Sequence, residues 1–231
     1  MLNSAKEPSI RFANIIPKPL IEVHLEKSIF KSDFAFECGN WYQLIAPSGK
    51  GKSTVVGIIT GTRGDFNGDL FIGEINAAKF KYKQWSEWRS YGCSAVFQDL
   101  LLFPQLSGFE NIFLPLEIQN QGSTKKISKS EIELNKNKVK EWAEKLGILN
   151  KLDQPIFKLS HGQMQRVAIL RALNRKFKWL VMDEPFSHLD EVNTSVAIDL
   201  IINEAKSQNA GIIMTSLNSK DLMSGFELIT I

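Results

Sequence analysis

Between residues 46 and 54 the chain reads Ala46-Pro47-Ser48-Gly49-Lys50-Gly51-Lys52-Ser53-Thr54. Glycines, a lysine and hydroxyls at this spacing, set between an apolar run and a helical one, can wrap a phosphate. Backbone N–H groups from Gly49 to Lys52 converge because glycine tolerates the angles that such a nest demands. The helix opening behind them adds its partial positive charge. On this reading Lys52 reaches the β- and γ-phosphates of a nucleoside triphosphate, and the Ser53 hydroxyl ligates Mg²⁺. A Gly/Ser-rich turn is the plainer alternative. A second chemical cluster, Asp183-Glu184-Pro185, ends the apolar run Trp179-Leu180-Val181-Met182. Ligands of doubly wound sheets gather at the carboxyl ends of strands. Asp183 is therefore read as holding Mg²⁺ directly or through water, and Glu184 as accepting a proton from, or orienting, an attacking water. Adjacent acids also occur as solvated turn residues.

These clusters need elements to carry them. Short apolar runs alternate with helical patterns, which predicts an α/β unit with a largely parallel sheet. Ile10–Phe12, Phe34–Glu37, Trp41–Ile45, Asp69–Ile72, Trp179–Met182, Gly211–Thr215 and Phe226–Ile231 read as strands, with Cys38-Gly39-Asn40 as a turn. Val55 to Thr60 reads as helix. From Leu106 to Leu152 the periodicity is helical, broken by Gly122-Ser123-Thr124, and predicts a helical subdomain. Leu159-Ser160-His161-Gly162-Gln163 precedes a helical run over Met164–Leu173. Ser160 and Gln163 have the spacing of a capping box, and a capped helix N-terminus can also face a phosphate.

Composition narrows the function classes. The 231 residues are 43% hydrophobic, enough for one well-packed globular unit. A net charge of +3 lies too near balance to argue for nucleic acid. The lysines from Lys125 to Lys140 alternate with Ser, Glu and Asn and read as a solvated face, with a membrane-facing surface as the minor alternative. Cys38 and Cys93 lack metal-ligand spacing and read as reduced, buried thiols. The opening residues MLNSAKEPSIRF lack the apolar core of a signal peptide, and no apolar stretch approaches the ~20 residues that span a bilayer.

Taken together, these segments resemble the ATP-binding subunits of ABC transporters over essentially the whole chain. Ala46–Thr54 matches that family's phosphate loop, Val96-Phe97-Gln98-Asp99 its glutamine loop and Leu159–Gln163 its signature. Leu180–Pro185 matches its acidic strand end and Ser187-His188-Leu189-Asp190 its dimer loop. The resemblance implies a P-loop NTPase core with a mainly parallel sheet, an N-terminal antiparallel β subdomain and an inserted helical subdomain. Residues 1–231 would form one ATP-binding domain, with 1–98 and 159–231 as ATPase core and about 99–158 as the helical insert. It further implies a head-to-tail homodimer, or a pair with a related second ATPase subunit, holding ATP at the interface. Each ATP would lie between one phosphate loop and the other subunit's Ser160, Gly162 and Gln163, with Ser187, Leu189 and Asp190 in the dimer loop. Gln98 would touch Mg²⁺ or the attacking water. The helical surface would receive a transmembrane permease, placing a cytoplasmic protein on the inner face of a membrane. The string Asn111-Ile112-Phe113-Leu114-Pro115-Leu116 most resembles the branch serving lipoprotein release and macrolide export. No nucleic-acid partner is expected, since members acting on DNA or ribosomes usually carry insertions or a second cassette.

Four positions depart from the family pattern. The loop opens with Ala46 where glycine is usual, which suits a negative φ. His161 replaces a signature glycine and would either donate to a phosphate or point to solvent. Pro19 falls roughly where an adenine-stacking aromatic belongs. The three histidines are His24, His161 and His188, so the switch histidine expected after Gly211–Thr215 is missing. Ser216 occupies its place as the candidate catalytic contact, with Asn218 a substitute if the register slips. An alternative reading is therefore an ATP-dependent dimerisation switch with impaired hydrolysis. Serine is short and cannot become cationic, and phosphoryl transfer rests on positioning. Ser216→His is expected to raise ATP turnover without changing ATP affinity. A drop in turnover from an ordinary parent rate would show that other residues rebuild the switch.

Overall fold

Strand β3 (Trp41–Ile45) is buried along Tyr42, Gln43 and Leu44 and runs directly into the loop that starts at Ala46. The structure, a computed structural model, describes residues 8–20, 28–122, 128–217 and 224–231. Before β3 come β1 (Ile10–Pro17) and β2 (Asp33–Phe36). Helix α1 (Lys52–Thr60), β4 (Phe66–Ile72), β5 (Ile75–Asn76), α2 (Tyr82–Glu87) and β6 (Cys93–Val96) follow. The rest comprises α3 (Gly108–Gly122), α4 (Lys129–Lys145), α5 (His161–Leu173), β7 (Trp179–Asp183), α6 (Glu191–Gln208), β8 (Gly211–Ser216) and β9 (Glu227–Thr230).

The chain divides into two compact units. The first contains residues 1–98, 177–184 and 205–231; the second contains 99–176 and 185–204. By packing, residues 159–176 and 185–204 group with the helical stretch, whereas the resemblance leads one to expect 159–231 in the ATPase core.

The first unit holds both sheets. One is antiparallel with strand order β2-β1-β4-β5, and the other is parallel with order β6-β7-β8-β3-β9. Strand β7 is buried at every residue, as a continuous apolar run in a parallel sheet requires. A single apolar core joins the two sheets. Phe12, Phe36 and Leu70 from the antiparallel sheet, Val55, Ile58 and Ile59 from α1, and Leu44, Val181 and Ile213 from the parallel sheet all belong to it. Helix α1 is buried almost all round, which fits its amino-acid pattern of Val55-Val56 and Ile58-Ile59.

The sequence reading of the strands differs from the structure in several bounds and omits the short β5, and two differences stand out. β1 continues to Pro17 through an irregularity between Ala13 and Ile16, where Asn14 takes φ 51°. Strand β6 was not read from the sequence, because Cys-Ser-Ala-Val carries a weak pattern; it pairs with β7 from Cys93↔Trp179 to Val96↔Met182.

In the second unit α3 and α4 pack on α5. Ile112, Val139, Ala143, Leu146, Val167 and Leu170 are fully buried there. Each helix start is specified locally. The Ser128 hydroxyl accepts from Glu131 N–H at 3.2 Å, while Glu131 accepts from Ser128 N–H at 2.9 Å. Ser107 and Glu110 do the same before α3, at 3.2 and 2.7 Å. Those Ser107 bonds hold the Glu110 carboxyl below its usual range. The chain between α3 and α4 at 123–127 lies outside the described residues, as does most of the Gly122-Ser123-Thr124 break.

Candidate nucleotide site

Three parallel strands set the first half of the candidate site. β8 lies between β3 and β7, so the loop after β3 and the acids after β7 emerge at the same sheet edge on either side of it. The register pairs Ile45 with Ser216 and Asp183 with Thr215.

The loop is a left-handed turn feeding a helix. Gly49 and Gly51 have φ of 78° and 102°. A Cβ at Gly51 would sit 2.7 Å from Leu20 and 2.8 Å from Phe30, so glycine is required there by space as well as by angle. No side chain caps the N-terminus of α1 at Gly51, which leaves its first N–H groups facing the loop. Ala46 is 1% exposed and is absent from the described non-glycine residues with positive φ. Alanine therefore stands in for the family's first glycine without backbone strain.

Lys52 is 5% exposed, and its ammonium donates to Ala46 O at 2.7 Å and to Pro47 O at 3.3 Å. It also lies 3.5 Å from Glu184 Oε1. Phosphate oxygens can take over these contacts without moving the charge out of its buried place. Ser53 is exposed beside it, as a hydroxyl offered to a cation must be.

Asp183 is 4% exposed and Glu184 has φ 46°, an unfavourable angle for a residue with a Cβ. One hydroxyl organises both. Thr215 Oγ1 donates to Asp183 Oδ1 at 2.6 Å and accepts from Glu184 N–H at 3.0 Å. Sequence reasoning missed Thr215; its only signal was a hydroxyl ending the apolar run Ile212-Ile213-Met214.

Ser216 closes β8, is 8% exposed, and its hydroxyl accepts from Gln43 Nε2 at 2.9 Å. The candidate catalytic serine is thus engaged within the sheet. Gln43, buried in mid-strand, was not singled out from the sequence. Gln98 is exposed just beyond β6, and Pro19 is exposed in a short 3₁₀ turn. Asn218 and His24 lie outside the described residues. A buried carboxylate, an exposed serine hydroxyl and a buried ammonium at the uncapped helix start form a donor set suited to Mg²⁺ and a polyphosphate.

The second unit carries the residues that the sequence reading took as signature and dimer loop. Ser160 caps α5 through the expected box: its hydroxyl accepts from Gln163 N–H at 3.4 Å, and Gln163 Oε1 accepts from Ser160 N–H at 3.0 Å. A Cβ on Gly162 would lie 2.7 Å from His188 O, so the signature's remaining glycine permits close approach of the dimer loop. Gln165 Oε1 accepts from His188 N–H at 3.0 Å. The His161 ring packs on His188, centroids 3.9 Å apart, and His188 Nδ1 meets Ser187 Oγ at 2.9 Å. Asp190 caps α6 by accepting from Asn193 N–H at 2.8 Å, and this bond leads the causes that hold its carboxyl below the usual range. Leu189 is half-buried between them.

A parallel sheet whose inner strand enters a glycine-lined loop at a helix start, with acids at the end of the next strand but one, defines a P-loop nucleotide-binding fold. Residues 29–187 match the family model described as ABC transporter, and the chain belongs to that family. Similar curated proteins include the lipoprotein-releasing system ATP-binding protein LolD of Legionella pneumophila (strain Lens). It is 29% identical over 184 residues, covering 80% of this chain and 77% of that protein. The ABC transporter ATP-binding protein YxdL of Bacillus subtilis (strain 168) is 32% identical over 168 residues, 73% of this chain and 62% of that one. Among solved structures, the fold matches the ATP-binding cassette MJ0796 in a dimeric, post-hydrolysis state bound to ADP and Pi. The TM-score is 0.82 at 22% identity, covering 96% of this chain and 94% of that one.

Valine at position 215 keeps the shape of threonine and removes both hydroxyl bonds. Because ~1.4 kcal/mol of lost transition-state stabilisation is tenfold in rate, Thr215→Val is expected to lower ATP turnover by about 10–100-fold. Thr215→Ser should retain most of it. Steady-state phosphate release, with ATP affinity as control, checks this; turnover in Thr215→Val equal to the parent's would deny the hydroxyl its organising part.

Proposed function

We propose that this chain is the ATP-hydrolysing subunit of a transporter, working as a head-to-tail dimer against a separate membrane-spanning permease. The observation that carries this reading is the convergence of Lys52, Asp183, Glu184 and Thr215 at one sheet edge beside the uncapped start of α1. Lys52 binds the β- and γ-phosphates, with backbone N–H groups of 46–54 around them. Ser53, Asp183 and Gln98 would hold Mg²⁺, which would neutralise phosphate charge. Glu184 orients the attacking water and takes its proton. Thr215 fixes the backbone of Glu184 in its left-handed angle, so the carboxylate is aimed before ATP arrives.

Ser160, Gly162 and Gln163 are assigned to the ATP of the opposite subunit, with Ser187, Leu189 and Asp190 along the dimer loop. Ser160, at the capped start of α5, and Ser187 and Asp190, before α6, are exposed, which supports this, and MJ0796 is itself dimeric. The assignment of 1–98 and 159–231 to the ATPase core, with 99–158 as insert, is part of the same proposal. Phe103 and Phe157 are 53% and 58% exposed in the second unit, where Phe157 N–H bonds Pro104 O at 3.2 Å. Exposed apolar side chains grouped this way suit a docked permease segment. No described helix is long and apolar enough to cross a membrane; on this proposal it is the permease that holds the chain at the membrane's cytoplasmic face.

Glu184→Gln keeps shape and removes the carboxylate. Hydrolysis is expected to fall by ~10²–10⁴ while ATP still binds, so an ATP-bound dimer accumulates. Size-exclusion chromatography with ATP and Mg²⁺ reads this directly. A variant that stays monomeric and hydrolyses normally would overturn both the base and the dimer.

A further inference from the structure

The segment leaving Gln98 has an unusual backbone. Leu100 and Leu101 take φ of 58° and 46°, two consecutive leucines in the left-handed region, and Leu101 N–H donates to Asp99 O at 2.6 Å. An i→i+2 bond around a central residue of positive φ is a rare, strained turn that persists only where its surroundings hold it. Leucine gains nothing locally from that angle. Leu100 buries its side chain to 4% exposure, whereas Leu101 is 56% exposed, so packing accounts for one of the two angles and not for the other.

The holder is Arg171, in the last turn of α5. Its Nη1 donates to Leu101 O at 2.7 Å and its Nη2 to Leu100 O at 2.6 Å, a fork closed on the carbonyls of the two strained residues. Among the described residues it has no ion pair with a carboxylate, and burial pushes the guanidinium down to about 10. A half-buried cation answered by neutral carbonyls is a poor way to stabilise a helix, which an aliphatic side chain would do at lower desolvation cost. A rigid planar fork is, however, well suited to fixing two successive carbonyls. Asn111, fully buried, pins the following stretch: it accepts from Phe103 N–H at 2.8 Å and donates to the carbonyls of Phe103, Leu106 and Ser107 at 3.1, 3.3 and 3.0 Å.

We infer that Arg171 is a positioning residue for hydrolysis: its fork locks the Asp99–Leu101 turn and thereby fixes the chain direction from which Gln98 presents its amide. This rests on the reading of Gln98 as a contact to Mg²⁺ or the attacking water. Arg171 acts through the backbone and touches no substrate.

The experiment uses the full chain in four forms: parent, Arg171→Met, Leu101→Gly and the double variant. Glycine accepts positive φ without strain, so it lessens the need for the fork. Leu101→Gly alone should leave kcat within about twofold, and Arg171→Met should lower kcat about tenfold with KM for ATP little changed, as misplacement of a catalytic contact does. In the double variant kcat should recover to within about threefold of the parent, which repair of a merely loosened helix would not give. Hydrogen exchange at 99–103 should quicken at least ~10-fold in Arg171→Met while α5 stays protected. Should Arg171→Met fold poorly, Arg171→Lys keeps the charge, lacks the fork and should show the same kcat and exchange effects in weaker form. Unchanged exchange at 99–103, unchanged kcat, or a loss that Leu101→Gly does not recover would each overturn the inference. A parent without turnover whose exchange still responds to Arg171→Met would instead overturn the hydrolysis reading and leave the turn clamp standing.

Discussion

An ammonium buried to 5% exposure has to be answered by oxygen atoms, and the edge of the parallel sheet is arranged to answer Lys52. Ala46 O and Pro47 O stand at 2.7 and 3.3 Å and Glu184 at 3.5 Å. Those oxygens are available because β3 ends at Ile45, because Gly51 allows the chain to turn against Leu20 and Phe30, and because Glu184 accepts a left-handed backbone. Each condition depends on the next. The core beneath α1 fixes the height of Lys52, and the strand order fixes which acids it meets.

The acids themselves depend on a neighbouring strand. Asp183 and Glu184 belong to β7 and its exit, yet the hydroxyl that orders them belongs to β8. Strand order β7-β8-β3 therefore does chemical as well as architectural duty: the strand between loop and acids supplies Thr215 toward one side and Ser216 toward Gln43 on the other. The same economy recurs in the second unit. Ser160 caps a helix and is presented by it, and Gly162 stays small so that His188 O can approach.

Much of this was legible in the sequence where chemistry and periodicity coincide. Trp41–Ile45 was read to the residue, and the loop, the acid pair and the capping box follow from local spacing alone. Thr215 and Gln43 were not found, because a polar residue in an apolar strand reveals its partner only once the register of adjacent strands is known. Strand β6 was hidden by small and weakly apolar residues, which pair with β7. The fork of Arg171 joins residues seventy apart and leaves no local trace. Ala46 shows the converse. Its departure from the family pattern is harmless if the local φ is negative, a condition only the backbone can show, and Ala46 takes no positive φ.

The central claim is that the buried ammonium of Lys52 is the seat of nucleotide phosphate binding. Isothermal titration of ATP and Mg²⁺ into the parent and into Lys52→Ala tests it most directly, with thermal unfolding to confirm that the variant folds. The account predicts saturable binding to the parent and none measurable for a well-folded Lys52→Ala. Near-normal affinity in that variant would contradict it.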